Sequence, residues 1–176
     1  MAWQTRMTQG LAQFIAERDH FYMATANAAG RPYIQHRGGP KGFLKVLDDK
    51  TLGFADFAGN QQFVTLGHLS ENDQAFLFLI DYPERQRVKI RGRARAVSDD
   101  PALARSLADP AYRGRVERAI LFEVGEWDVN CPSHILPRWD AAALTPAFDR
   151  LEKRIRALEA QVRELGGDPG EFDMPA

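Results

Sequence analysis

The chain has 176 residues, 44% of them hydrophobic and 27% charged, a balance that excludes a mainly disordered protein and fits one domain with a small appendage. Lys+Arg total 23 against 24 Asp+Glu, and the net charge of −1 argues against a general polyanion-binding protein, hence against nucleic acid as the partner. One cysteine, Cys131, excludes an internal disulfide framework and a Cys-only metal site.

Residues 8–18 predict a short amphipathic helix, with Leu11, Phe14 and Ile15 at helical spacing and Thr8 as the cap. Phe21–Ala26 reads as a strand, Ala28-Ala29-Gly30 as a turn and Pro32–Arg37 as the returning strand. Gly38-Gly39-Pro40 interrupts it, and Phe43–Leu47 resumes the extended pattern. After the turn Asp48-Asp49-Lys50 comes a strand over Thr51–Phe57. Two hairpins so close together predict an antiparallel meander. Residues 60–69 read as a short helix, with Asn60 as cap and Phe63, Leu66 and Leu69 at intervals of three. Gln74–Asp81 is apolar at nearly every position, which predicts a strand buried on both faces.

Arg85–Val97 is the longest strand candidate. Every odd position from 85 to 95 is basic, and the even positions are mostly apolar, so one face is cationic. Gly92 would permit a bend or a close backbone approach. Residues 101–108 read as a helix with Pro101 in its first turn. Ala119–Val129 reads as the last strand. Phe148, Leu151, Ile155, Leu158, Val162 and Leu165 then repeat at spacings 3, 4, 3, 4, 3, a heptad seam. The predicted organisation is a barrel domain over 8–140, an amphipathic helix over 144–165 for packing or dimerisation, and a flexible tail over 166–176. The fold class is mainly β with added helices, six or seven antiparallel strands forming a small barrel. Met1–Gly10 lacks the apolar core of a signal peptide, and no stretch approaches the length of a membrane helix, so the expected location is cytoplasmic, with no membrane partner.

Positive charge is segregated. Residues 31–45 carry Arg31, Arg37, Lys41 and Lys45 and no acid; residues 85–95 carry Arg85, Arg87, Lys89, Arg91, Arg93 and Arg95 and no acid. The windows contribute +4 and +6, so the remainder sums to −11. Most of the longer row reads as a solvated barrel face paired with acids on the next strand, with arginines at one end free to hold a phosphate. The shorter window gathers Gln35, His36, Arg37, Lys41 and Lys45 around glycines that let a ligand approach the backbone. Residues 58–65 join a strand to a helix start, where backbone N–H groups suit a phosphate. Asn130, Cys131, His134 and Arg138 sit in a segment that covers a ligand site, or form a Cys/His nucleophilic pair. No His, Cys and acid recur at metal spacing, so no metal is expected.

The segments FYMATANAAGRPYIQHRGGPKGFLKV (21–46), LGFADFAGNQQFVTLGHLSEND (52–73) and ERQRVKIRGRA (84–94) resemble, in order, the first hairpin, phosphate segment and long strand of the pyridoxamine 5′-phosphate oxidase-like FMN-binding split-barrel family. The resemblance covers about 10–138 and is nearer to an uncharacterised branch with QHRGGPxGF and NCPxHIxxR than to the biosynthetic oxidase. It implies an antiparallel, Greek-key-like split β-barrel with an N-terminal helix and a C-terminal heptad helix, a homodimer with FMN in clefts between subunits, and a flavin-dependent oxidoreductase acting on a small molecule. It points to Gln35, His36, Arg37, Phe43, Leu44 and Lys45 on the strand after the first turn, and to Ala58, Gly59, Asn60, Gln61 and Gln62 at the strand–helix turn. The family's Ser-Arg-Lys there reads Gly59-Asn60-Gln61, which leaves the phosphate to Arg37, Lys41 or Lys45. Arg85 and Gln86 match the Arg-Gln pair that meets the flavin ring edge, and Trp127 and Arg138 match a C-terminal Trp…Arg element. His36 and His134 are candidate catalytic proton donors. The oxidase's substrate-phosphate residues are not recognisable, so pyridoxamine phosphate is not assigned as substrate. The alternatives are a haem or deazaflavin ligand in the same barrel, or a non-catalytic module binding a small molecule or nucleic acid through the cationic strand.

Overall fold

The computed structural model describes residues 3–59 and 63–170. The chain divides into two compact units, Met1–Leu136 and Pro137–Ala176.

The first unit is a seven-stranded antiparallel sheet with three helices. Helix α1 (Gln9–Ala16) leads into strands β1 (His20–Ala26), β2 (Pro32–Gly38), β3 (Lys45–Val46) and β4 (Thr51–Phe57). Helix α2 (Val64–Glu71), strands β5 (Gln74–Asp81) and β6 (Gln86–Val97), helix α3 (Pro101–Leu107) and strand β7 (Val116–Asn130) follow. The local signals act as the sequence suggests. The Thr8 side chain accepts from the Leu11 N–H at 3.2 Å to cap α1, and the Asp100 carboxylate caps α3 by accepting from Leu103 at 2.8 Å.

The strand order is β2-β1-β5-β6-β7-β4-β3. The predicted meander is therefore corrected. The hairpins β1–β2 and β3–β4 form, but they sit at opposite edges of the sheet with β5, β6 and β7 between them. The sheet does not close, and the protein is a split barrel. Its interior is filled from both halves: the Phe21 ring stacks on Phe43 at 5.4 Å and meets Phe54 edge-on at 5.2 Å.

Other expectations need adjustment. The strand expected over Phe43–Leu47 shrinks to Lys45–Val46, because Phe43 and Leu44 turn inward and are buried. Gly39 serves this packing: a Cβ there would lie 2.8 Å from the Phe43 ring. Strand β5 alternates rather than being buried on both faces; Ala75, Leu77 and Leu79 point to the core, and Phe76 and Phe78 are half-buried outside. Helix α2 begins at Val64, Phe63 is exposed, and Thr65 is the residue it buries. The Asn60 cap expected for it falls outside the described residues.

Strand β6 follows its sequence closely. Val88, Ile90 and Ala94 are buried, and the basic residues face outward. The register slips between Arg91 and Gly92, where β7 crosses so closely that a Cβ on Gly92 would lie 1.9 Å from the Glu123 carbonyl oxygen. Arg85 falls outside the strand, in the turn before it, at φ 52°. Strand β7 starts three residues earlier than expected because Val116 and Arg118 pair with Phe57 and Asp56 of β4; beyond β4 the N-terminal segment joins it, and Gln4 and Trp127 exchange backbone hydrogen bonds at 2.9 and 2.8 Å.

The second unit contains α4 (Ala141–Glu164), which begins three residues before the predicted start. Gly166, at φ 78°, and Gly167 close it, donating to the carbonyls of Arg163 and Val162 at 3.0 and 2.8 Å. The rest of the predicted tail, 171–176, lies outside the described residues. None of the helices is long and apolar enough to cross a membrane among the described residues.

Candidate functional site

The pleat of β2 sorts its residues onto two faces. Tyr33, Gln35 and Arg37 stand opposite Thr25, Met23 and Phe21, all buried, so these three face the barrel interior. Ile34 and His36 stand opposite Ala24 and Tyr22 and face outward. Gln35, His36 and Arg37 thus do not form one surface, as three consecutive strand residues cannot.

On the interior face, α2 lies against β2. The Thr65 hydroxyl, 1% exposed, donates to Gln35 Oε1 at 2.9 Å. Thr25 Oγ1 lies 3.1 Å from His68 Nδ1, and the Tyr33 ring meets His68 edge-on. One step along, Arg37 reaches across the open seam to β4. Its Nη1 donates to Asp56 Oδ1 at 2.6 Å, and its guanidinium lies 5.8 Å from the Phe54 ring centre. Arg118 Nε, from β7, lies 3.8 Å from the other Asp56 oxygen. Arg118 also bonds Glu117 at 2.9 Å, and Arg115 does the same from a more exposed position.

This seam cluster holds Arg37, Arg118 and Arg115 against Asp56 and Glu117, one positive charge in excess. Arg37, Asp56 and Arg118 are mostly buried, with side chains 15%, 10% and 15% exposed. Arg37 Nε is buried with no hydrogen-bond partner. A buried donor left unpaired costs about 1–3 kcal/mol. An anion accepted there would remove that cost and balance the charge.

The sequence marks Thr65 within the strand–helix stretch 58–65 but does not single out Asp56 or Arg118. A signal existed for Asp56: along β4, Leu52, Phe54 and Asp56 share one face, and a carboxylate on a buried apolar face demands a partner.

The remaining sequence candidates scatter. Lys45 stands opposite Gly53, whose neighbours include Leu107 of α3, so it is on the outer side of the sheet and not beside Arg37. Phe43 and Leu44 are in the core, and Trp127 is buried with its indole N–H donating to the Arg6 carbonyl at 2.8 Å. The side chains of these three are committed to packing. Gly59 is exposed at the end of the strand–helix turn; Asn60 and Gln61 lie outside the described residues. Arg138 belongs to the second unit.

A second group of candidates gathers where β5 ends, β6 begins and β7 ends. Gln86 pairs with Asp81 and Arg87 with Asn130, so the β5–β6 turn and the segment after β7 leave the sheet together. Arg87 Nε is buried without a partner. Arg85 at φ 52° and His134 at φ 65° are the non-glycine residues with left-handed backbone among those described, a conformation that costs roughly 1–2 kcal/mol. Cys131 is exposed; the Ser133 hydroxyl at 2.9 Å and its backbone N–H hold the thiol below its usual pKa, with help from the charge of Arg87. His36, on the outer face, stacks on His20 at 5.6 Å and meets Tyr22 edge-on. Partial burial pushes the Asp19 carboxyl up, but its 2.6 Å hydrogen bond to His20, the charge of His20 and that of Lys41 outweigh it and hold the group below the usual carboxylate range. Among the described residues no three His, Cys, Asp or Glu side chains gather into a metal-binding group.

The cationic row on β6 is matched across the sheet. Arg91 pairs with Glu126, Lys89 lies 4.0 Å from Asp128, and Arg93 lies 3.5 Å from Asp73. The Arg91 guanidinium also sits 4.5 Å from the Trp3 ring centre.

Comparison with known proteins gives the following. The family model described as pyridoxamine 5′-phosphate oxidase matches residues 7–130. No curated protein matches the sequence. Among solved structures, HupZ of Group A Streptococcus is similar with 18% identity over 70% of this chain and 93% of its own, at a TM-score of 0.57. An FMN-binding protein from Syntrophomonas wolfei subsp. wolfei is similar with 12% identity over 67% of this chain and 81% of its own, at a TM-score of 0.50.

Proposed function

The chain belongs to the pyridoxamine 5′-phosphate oxidase family, and on that premise we propose that it binds FMN and works as a flavin-dependent oxidoreductase, a homodimer with the cofactor at the subunit interface. The observation that carries this reading is the seam. There, buried arginines converge on a single aspartate, and one buried arginine N–H lacks an acceptor. That arrangement suits a compact anion such as a terminal phosphate. The FMN-binding description of a protein with this fold supports the same ligand.

Bound FMN would supply the hydride or electron chemistry. The residues of this chain do the rest. Arg37, oriented by Asp56, neutralises the phosphate, and Arg118 adds to the local potential. Gln35, whose Oε1 accepts from Thr65, would use its amide N–H to bond the ligand. Gln86, exposed at the start of β6 beside the strained Arg85, would hydrogen bond the polar ring edge. His134, also on left-handed backbone, and His36, in its stack with His20, are the candidate proton donors. Lys45, on the outer side of the sheet, is not placed to share that phosphate with Arg37. Phe43, Leu44 and Trp127 shape the site through backbone and packing.

Absorption and fluorescence of the purified protein test this reading. FMN should give flavin bands that persist through gel filtration, with ring fluorescence regained on denaturation. A haem Soret band, or a colourless protein that does not take up added FMN, would overturn it.

A further inference from the structure

Helix α4 carries an apolar seam of its own. Assigning heptad positions from its 3–4 spacing puts Phe148, Ile155 and Val162 at a, and Leu151, Leu158 and Leu165 at d. Leu144 extends the seam at d, and Pro146, inside the helix, falls at f, away from it. All six seam residues are between 36% and 88% exposed, and no residue of the helix is buried.

Two features decide what this surface fits. The first is shape. Ile and Val at a with Leu at d favour two parallel strands, because β-branched side chains pack well at the parallel a layers and leucine at the d layers. The second is charge. Position e carries Glu152 and Glu159, and position g carries Arg154. In a parallel, in-register pair, each g residue faces the e residue five positions later on the other helix. Arg154 would then face Glu159 of the second copy, twice over by symmetry. In an antiparallel pair e faces e and g faces g, so glutamates would oppose glutamates and Arg154 itself. Arg154 makes no ion pair among the described residues, whereas Glu159 lies 3.8 Å from Arg163 of its own helix and has oxygen to spare for a second cation.

We propose that α4 is the docking surface for α4 of a second copy, as a parallel in-register coiled coil fixed by Leu151, Leu158 and Leu165 and by reciprocal Arg154–Glu159 pairs. A seam of about eighteen residues is marginal as an isolated pair. The pairing therefore rests on the dimer proposed above, which supplies a high effective concentration of the second helix. It is independent of which cofactor the barrel holds.

Cysteine linking in the full chain, with Cys131→Ser as background, tests it. Leu151→Cys and Leu158→Cys should each link to themselves as the main product of mild oxidation, since parallel pairing brings identical seam positions within disulfide reach. Lys153→Cys, at f, should stay unlinked. Arg154→Glu should lower the Leu151→Cys yield, and adding Glu159→Arg should restore it. Linking of Leu151→Cys to co-expressed Val162→Cys in preference to itself would overturn the proposal in favour of antiparallel pairing. Seam yields no higher than that of Lys153→Cys would overturn pairing altogether. The same preparations carry a separate readout: protein that fails to link but sediments as a dimer with flavin absorbance leaves the proposed function intact.

Discussion

The outer row of β6 and the seam between β2 and β4 both present arginines, and they differ in what stands opposite. On β6 each central cation meets an acid across the register, Arg91 with Glu126 in a position open to water and Lys89 with Asp128 in a half-buried one. At the seam Arg37 and Arg118 share Asp56 in near-complete burial, and Arg37 Nε is left over, a feature that on β6 belongs to Arg87 at the strand's start and not to the row beyond it. Six alternating basic residues in the sequence look more like a binding site than one arginine beside a glycine-rich bend. Burial and pairing favour the bend. Charge density counts for little once it is neutralised and hydrated, and an unbalanced buried charge counts for much.

The contrast can be broken by substitution. If β6 is built for structure, its most sensitive position is the glycine at the bulge and not an arginine. Gly92→Ala should cost on the order of 4 kcal/mol, because its Cβ would lie 1.9 Å from the Glu123 carbonyl and neither backbone can yield cheaply. Chemical denaturation measures this. Arg37→Ala should cost about 3 kcal/mol, as Asp56 loses its closer cation inside the protein. Arg93→Ala, whose side chain is 65% exposed, should stay within about 0.5 kcal/mol of the parent. Comparable losses for the two arginines would erase the distinction between the regions.

Smaller effects sharpen it. Thr65→Val removes the buried donor that orients Gln35 and should cost about 1 kcal/mol, with weaker flavin binding out of proportion to that loss. The smallest concerns Cys131. Ser133 stabilises its thiolate, so the alkylation rate should reach half its maximum at a lower pH than for an ordinary cysteine. Ser133→Ala should move that midpoint upward; an unmoved midpoint would leave the backbone N–H of residue 133 and the charge of Arg87 as the cause.

Much of the fold was legible because its signals are local. Thr8, Asp100-Pro101 and the turn at Gly30 each mark an element within a few residues, and the alternation along 86–97 gave β6 its two faces. The order of the strands was not legible in this way. Nothing near 51–57 says that β4 lies beside β7 and at the far edge from β1, because that pairing is decided by which apolar faces bury together over long separations. The site was legible in part for the same reason. Arg37 stood out by its neighbours, but Asp56 and Arg118 reach it only through the folded sheet. The pleat, by contrast, was readable beforehand: His36 had to point away from Gln35 and Arg37, and Lys45 followed a chain reversal that took it to the other side.

If the seam holds the phosphate, FMN and riboflavin, which carries the same ring without the phosphate, should bind differently. Fluorescence titration should show FMN binding far more tightly than riboflavin, and Arg37→Gln should erase the difference while Arg93→Gln leaves it. Equal affinity for the two ligands, or a preference for FMN that survives Arg37→Gln and disappears in Arg93→Gln, would contradict the account.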